Sequence, residues 1–348
     1  MVSLRVFLPS TCRVRGDVVR VNSAVFERFP RCVKEDSWHD GCEMSLYGAI
    51  EAGGTKFVCA VGTGPEDLRA QARFPTTTPA ETIGRCIDFF RAQPKIEALG
   101  VGCFGPIELR RGAPSYGHVT TTPKVGWTNA DVVGPLHQAL GVPVGFDTDV
   151  NGAVLGEARW GAAQGLETAI YVTIGTGIGG GALVGGKLAH GLVHPEMGHL
   201  LLPRESDDLD FAGACPFHGA RCWEGVASGP AMERRWGRRA ETLPGDHPAW
   251  DLEARYIASA LTTLVLVLSP DRLILGGGVM QVEQLFPLVR KHLQRSLGGY
   301  VQADAVISGM DQYVVPPLLG QHAGIAGALA LAERAAFEPQ RPSLVQLQ

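Results

Sequence analysis

The stretch AIYVTIGTGIGGGALV, residues 169–184, reads as two apolar strands, Ala169 to Ile174 and Ala182 to Val184, joined by a glycine-rich turn. The same device stands earlier in the chain, in LYGAIEAGGTKFVCAV, residues 46–61, where Leu46 to Ile50 and Phe57 to Val61 flank Glu51-Ala-Gly-Gly-Thr-Lys56. Each copy alone is a tight turn in which glycine supplies unusual backbone angles. Each also fits a nest of backbone N–H groups that faces phosphate oxygens. GTGIGGG has no Lys-Ser/Thr pair, so it is not a P-loop, and no helix comes after it as a dinucleotide fingerprint requires. Two copies in the two halves of one chain predict two similar domains that face each other across a nucleotide.

The rest of the chain fills in an α/β pattern. Helical periodicity runs over Thr82 to Gln93, Asp131 to Leu140, Ala153 to Gly161, Ile257 to Leu268 and Gly324 to Ala336. Buried strands are expected at Ala98 to Gly105, Val142 to Phe146 and Arg272 to Leu275. The last runs into Gly276, Gly277 and Gly278, where a flat ligand such as an adenosine can lie close to the backbone. YGHVTTTPKVGW, residues 116–127, is too rich in Thr, Gly and Pro for regular structure and reads as a long functional loop. Asp149 and Asn151 stand where the strand ending at Phe146 passes into a helix. That is where α/β folds place catalytic groups, and it is equally where Asx residues cap helices.

A denser cluster lies in HPEMGHLLLPRESDDLDFAGACPFHGARCWEGVASGP, residues 194–230. Cys215, His218 and Cys222 form C-x2-H-x3-C, and His199 lies sixteen residues upstream of Cys215. Two thiols and two imidazoles have the composition of a closed tetrahedral zinc site, which leaves no open position for water. A free dithiol has the same spacing. Such a metal would staple the backbone that carries Glu196 and Glu224.

At 348 residues the length suggests two domains. The net charge of −4 gives no reason to expect nucleic-acid or membrane-surface binding. Cys59, Cys86 and Cys103 stand singly in apolar surroundings, which points to small core residues and a reducing cytosol. The longest mainly apolar run, Ile257 to Leu268, falls short of the ~20 residues of a membrane span. Residues 1–43 differ from the rest of the chain, with six arginines before residue 32 and little periodicity. Arg5 interrupts the only candidate signal-peptide core, so the segment reads as a disordered or mis-assigned extension, with Met44 as the natural start.

Taken in order, EAGGTK, DTDVN, IGTGIGGG, HPEMGH and LGGGVM resemble the ROK family of sugar kinases and related repressors, over about residues 46–337. Within it, EAGGTKF, TTTPKVGW and CPFHG look most like bacterial fructokinases. The resemblance implies a two-domain actin/hexokinase-like (ribonuclease H-like) α/β fold, with nucleotide and sugar in the cleft between domains. It implies a small domain of residues 44–159 plus 321–337 and a larger one, 160–320, with the zinc loop. It makes Asp149 the base that accepts the sugar hydroxyl's proton, and Asn151, Glu196, His199 and Glu224 the partners of the sugar. Gly53, Gly54, Thr55 and Lys56, with Thr176, Gly177 and Gly179, would face the ATP phosphates, and Gly276 to Gly278 the adenosine. His199, Cys215, His218 and Cys222 would hold structural Zn2+. Mg2+ would accompany ATP, and Glu51 stands where the wider family commonly has Asp. CPFH replaces the family's common C-x-C-G form.

The implied activity is ATP-dependent phosphorylation of a hexose, foremost fructose to fructose 6-phosphate, by a cytoplasmic homodimer. The same family offers glucokinase or mannose and N-acetylhexosamine kinase. Its sugar-responsive repressors carry an N-terminal winged-helix module, and no helix–turn–helix pattern precedes Met44. A catalytically silent sugar-binding protein would have lost Asp149, which is present.

Overall fold

A computed structural model describes residues 11–14, 17–20 and 45–337. The chain divides into two units, Met1–Met44 and Ser45–Gln348. In the first, β1 (Thr11–Val14) and β2 (Asp17–Arg20) form an antiparallel ribbon with Thr11 opposite Arg20. Apart from that ribbon, the expectation of a disordered or mis-assigned extension lies outside the described residues.

The second unit begins with β3 (Tyr47–Ala52), β4 (Lys56–Gly64) and β5 (Asp67–Pro75), then α1 (Pro79–Arg91), β6 (Ala98–Cys103), α2 (Val133–Leu140), β7 (Val144–Thr148) and α3 (Asp149–Trp160). It continues with β8 (Ala169–Ile174), β9 (Ile178–Val184), β10 (Lys187–Leu188), α4 (Trp223–Ala227), α5 (Gly229–Trp236), α6 (Ala249–Leu268) and β11 (Arg272–Gly276). The chain closes with α7 (Leu285–Leu297), α8 (Asp304–Ile307), α9 (Met310–Tyr313), β12 (Val314–Val315) and α10 (Ala323–Phe337). The strands build two five-stranded sheets, β5-β4-β3-β6-β7 and β10-β9-β8-β11-β12. In each, three successive strands run antiparallel, and the fourth and fifth add in parallel beside the first. The repeated glycine-rich hairpin thus forms the β3–β4 turn of one sheet and the β8–β9 turn of the other, two sheets of like topology.

Each sheet is apolar on both faces because both are covered. Alternation along the strands sends Ile50, Phe57, Cys59, Leu99 and Val101 toward Ile83, Phe90 and Leu136 of α1 and α2. The intervening Ala49, Val58, Ala60 and Ala98 meet Ile325, Ala328, Leu329 and Ala332 of α10. In the second sheet, Ile170, Val172, Leu273 and Leu275 pack on Trp223, Ile257, Leu261 and Val289. Its other face sends Tyr171, Leu183 and Ile274 toward Val150 and Val154 of α3.

One boundary is revised, and one strand was not foreseen. DLRAQARFP is a strand, β5, whose alternating small and charged residues leave it half exposed at the sheet edge. Helix α6 begins at Ala249, earlier than Ile257, because Trp250, Ala254, Ile257, Leu261 and Leu264 form one buried stripe while Asp251 and Arg255 stay on the polar side. Cys59, Cys86 and Cys103 are buried core residues, as expected, and the neighbouring Cys86 thiol together with burial raises the pKa of Cys59. Among the described residues no helix is long and apolar enough to cross a membrane.

The two sheets meet through α3 and α10. A β-carbon on Gly327 would collide with the backbone of Gly152, and one on Gly156 would lie 2.7 Å from the Gly327 nitrogen. The helices therefore touch backbone to backbone. Gly327→Val is expected to lower stability by about 1–3 kcal/mol, the usual range for overpacking a close contact. Thermal unfolding followed by circular dichroism would measure it, and an unchanged Tm would show that the helices can separate without loss.

Candidate active site

Between the sheets lies a cavity of about 620 Å³. Its walls are Glu51 of β3, Asp149 and Val150 of α3, Tyr171 and Thr173 of β8, Gly276 to Gly278 after β11, and the 316–324 connection into α10. Met280, Gln281, Glu283, Phe286 and Arg290 complete its lining. Gly277 has φ +90, and a β-carbon there would collide with Ile174, so the glycine run lies flat against the sheet.

Asp149 reaches this cavity because β7 stops at Thr148, whose hydroxyl accepts the Asn151 N–H at 3.1 Å and so caps α3. The cap is therefore Thr148, and Asp149 is the first helical residue with its carboxylate at the cavity. Its Oδ1 accepts the Val150 N–H at 2.9 Å. Burial raises its pKa to about 7; the Val150 amide works against this, and the negative charge of Glu51 adds to it. Glu51 is itself raised, chiefly by burial, with Lys56 pulling the other way.

The loop before α4 carries the other predicted groups. Glu196 is held up to about 7 by burial and by the charges of Glu224 and Asp149, so the three carboxylates lie within electrostatic reach of one another. Glu224, in α4, accepts the Ile178 N–H at 3.0 Å and so ties itself to the second glycine-rich hairpin. His199, Cys215, His218 and Cys222 converge, with one ligand atom from each lying within 4.8 Å of the others. Cys215 Sγ is 3.8 Å from His199 Nδ1 and 3.7 Å from His218 Nδ1, and Cys222 Sγ is 3.7 Å from His199 Nδ1. Ordinary Zn–S and Zn–N bond lengths at a tetrahedral angle give an S···N edge of ~3.6 Å. The donor set therefore fits zinc, and the Gly225 N–H on Cys222 Sγ supplies an outer hydrogen bond of the kind a bound thiolate uses.

Of the predicted nucleotide residues, Gly276, Gly277 and Gly278 line the cavity. In the first hairpin the Gly53 N–H is spent within the turn, on Lys56 O at 2.9 Å. Thr76 Oγ1 donates to Gly53 O, and Lys124 Nζ donates to Thr76 O, which tethers the 116–127 loop beside that turn. In the second hairpin Gly175 N–H donates to Gly177 O, and Gly177 lies against the Glu224 carboxylate.

Asn151 is buried, and its Nδ2 donates to Asp147 Oδ1 at 2.8 Å. Asp147 also bonds His190 Nε2 at 2.8 Å, an interaction that raises the histidine's pKa. Sequence reasoning missed this Asp147–His190 pair, whose only signal was the DTDVN motif itself. It also missed His194, which accepts the Ile107 N–H at 3.0 Å and lies 3.5 Å from Glu196.

The fold is that of solved ROK hexokinases and glucokinases. The chain belongs to the ROK family: the family profile matches residues 47–335. It is 44% identical to a fructokinase of Zymomonas mobilis over 83% of this chain and 97% of that one. It is 43% identical to a fructokinase of Pediococcus pentosaceus, covering 83% and 98%. Among solved structures, a ROK family glucokinase from Streptomyces griseus in complex with glucose and AMPPNP superposes with TM-score 0.64 at 26% identity, covering 83% of this chain and all of that one.

Glu51→Gln removes a negative charge facing Asp149 and is expected to lower the Asp149 pKa below 7. Carboxyl carbon chemical shifts tracked against pH would measure this. An unmoved midpoint would mean that burial alone sets it.

Proposed function

We propose that this chain is an ATP-dependent hexose kinase that converts fructose to fructose 6-phosphate, with Asp149 as the general base. The observation that carries this is the position of Asp149. It lines a cavity large enough for a nucleotide, and it is electrostatically linked to Glu196 and, through Glu196, to Glu224. The fructokinase relatives support fructose as the acceptor.

Phosphoryl transfer has a loose transition state, so positioning and charge neutralisation carry most of the catalysis. Asp149, ionised, takes the proton of the attacking hydroxyl as its oxygen bonds the γ-phosphorus of ATP and the bond from that phosphorus to the departing ADP breaks. Glu196, His199, Glu224 and Asn151 pair with the remaining hydroxyls, each of which both donates and accepts. The turns at Gly53 to Lys56 and at Thr176 to Gly179 hold the phosphates, and Gly276 to Gly278 hold the adenosine. Glu51, an oxygen donor within electrostatic reach of Asp149, would hold Mg2+, which would supply positive charge to offset that of the phosphates. His199, Cys215, His218 and Cys222 hold structural Zn2+. The sheets act as two lobes, 44–159 with 321–337 and 160–320, whose closure excludes water. A homodimer and a cytoplasmic setting complete the reading, and the reduced Cys59, Cys86 and Cys103 support the latter.

A coupled assay over fructose, glucose, mannose and N-acetylated hexosamines is expected to show turnover with fructose foremost. No turnover with any of them would refute the kinase. Because Asp149 must be ionised to act, kcat/KM for fructose should rise with pH through about 7 and then level. Asp149→Asn should lower kcat by about 10²- to 10⁴-fold without lowering the Tm. Near-normal turnover would remove Asp149 as base. About one zinc per chain is expected by elemental analysis. Chelation or Cys215→Ser should release it and lower the Tm; an unchanged Tm with no bound metal would refute the staple.

A further inference from the structure

Glu157 is fully buried near the end of α3, two turns beyond Asp149, and the proposed chemistry gives it no part. Its carboxylate accepts three backbone N–H groups. Oε2 takes those of Ala162 at 2.6 Å and Leu318 at 3.2 Å, and Oε1 takes that of Leu319 at 3.0 Å. Ala162 belongs to the turn that ends α3. Leu318 and Leu319 belong to the β12–α10 connection, whose Pro316, Pro317, Gly320 and Gln321 form a wall of the large cavity. The two prolines have no N–H, so Leu318 and Leu319 carry the first donors after β12. The Leu318 side chain is 71% exposed and does little to hold the connection by packing. Leu319 packs on the cluster of Val150, Val154 and Ile274, and the polar link beside that packing is the carboxylate, which joins the cavity wall to the helix whose first residue is Asp149.

We infer that Glu157 is a positioning residue that latches the 316–321 wall in the shape that receives the nucleotide. This rests on reading the large cavity as the nucleotide site. Three N–H donors converge on two oxygens, so the site requires an acceptor at both atoms. An amide in either orientation would point its NH2 at one of these donors. Gly161 makes room for the arrangement: a β-carbon there would collide with Glu157 Oε2 and lie 3.0 Å from its Cα. Gly161→Ala thus displaces the carboxylate without removing it.

The test compares wild type, Glu157→Gln and Gly161→Ala. Binding of magnesium AMPPNP is measured by calorimetry, KM for ATP and for fructose and kcat by steady-state kinetics, and Tm and zinc content on the same preparations. Loss of the latch should weaken AMPPNP binding and raise KM for ATP by about tenfold in both variants, the scale of one charge-assisted hydrogen bond. KM for fructose, kcat at saturating ATP and zinc content should stay within about twofold, the split expected of a lost uniform binding interaction. Unchanged nucleotide affinity in the folded variants would overturn the latch. So would a parallel fall of nucleotide affinity, sugar affinity and kcat, which marks a general structural role. If Glu157→Gln does not fold, Gly161→Ala decides alone. Wild type that binds AMPPNP but turns over no hexose would sink the kinase reading, and the ratio of Kd values would still decide the latch. Wild type that does not bind the nucleotide would overturn both.

Discussion

The close approach of α3 and α10 is the constraint on which the rest of the structure depends. Gly152 and Gly156 of one helix meet Gly327 of the other without an intervening side chain. The two sheets thereby share a thin helical layer, with α10 on the face of the first and α3 on the face of the second. Because the layer is thin, β3, β8 and β11 all reach one cavity. Both helices also begin there, Asp149 at the start of α3 and Ala323 and Gly324 at the start of α10. Larger residues at the glycine contacts would push the sheets apart and separate Glu51 from Asp149.

That convergence sets the electrostatics. Glu51, Asp149 and Glu196 are all raised above their ordinary range, in each case by burial first and for two of them by neighbouring carboxylates next. Bringing acids together in a partly dry cleft costs stability in the free protein. It places Asp149 near neutrality, where a proton acceptor works best at physiological pH. The cost is carried by the rigid surroundings, since the Thr148 cap and the Val150 amide hold Asp149 in place.

The loop that carries the Cys/His cluster is held from two sides. The Cys/His set gathers its centre, and an ionic network anchors its start. Asp208 accepts Arg235 through both oxygens, at 2.8 and 3.0 Å, and the Tyr256 hydroxyl at 2.7 Å. Arg255 of α6 reaches Glu205 and Asp207. Both anchors bear on the segment between Glu196 and Glu224, which the proposed chemistry needs to be fixed in place.

The sequence by itself determined the parts that act through neighbours in the chain. Paired strands around EAGGTK and IGTGIGGG are local, as are the C-x2-H-x3-C spacing and the strand-to-helix junction at Asp149, and the family order came from those motifs. Half-exposed β5 escaped because its alternating residues are small or charged, and the first turns of α6 escaped because Glu253 and Arg255 mask the apolar stripe. Only the tertiary structure decided that His190 pairs with Asp147 and that Cys59 meets Cys86. It alone put Glu157 under Leu318 and Leu319, more than 160 residues away in the chain. Such contacts pair single groups across long loops. Their energy depends on the packed geometry that brings the groups together, and no local pattern encodes it.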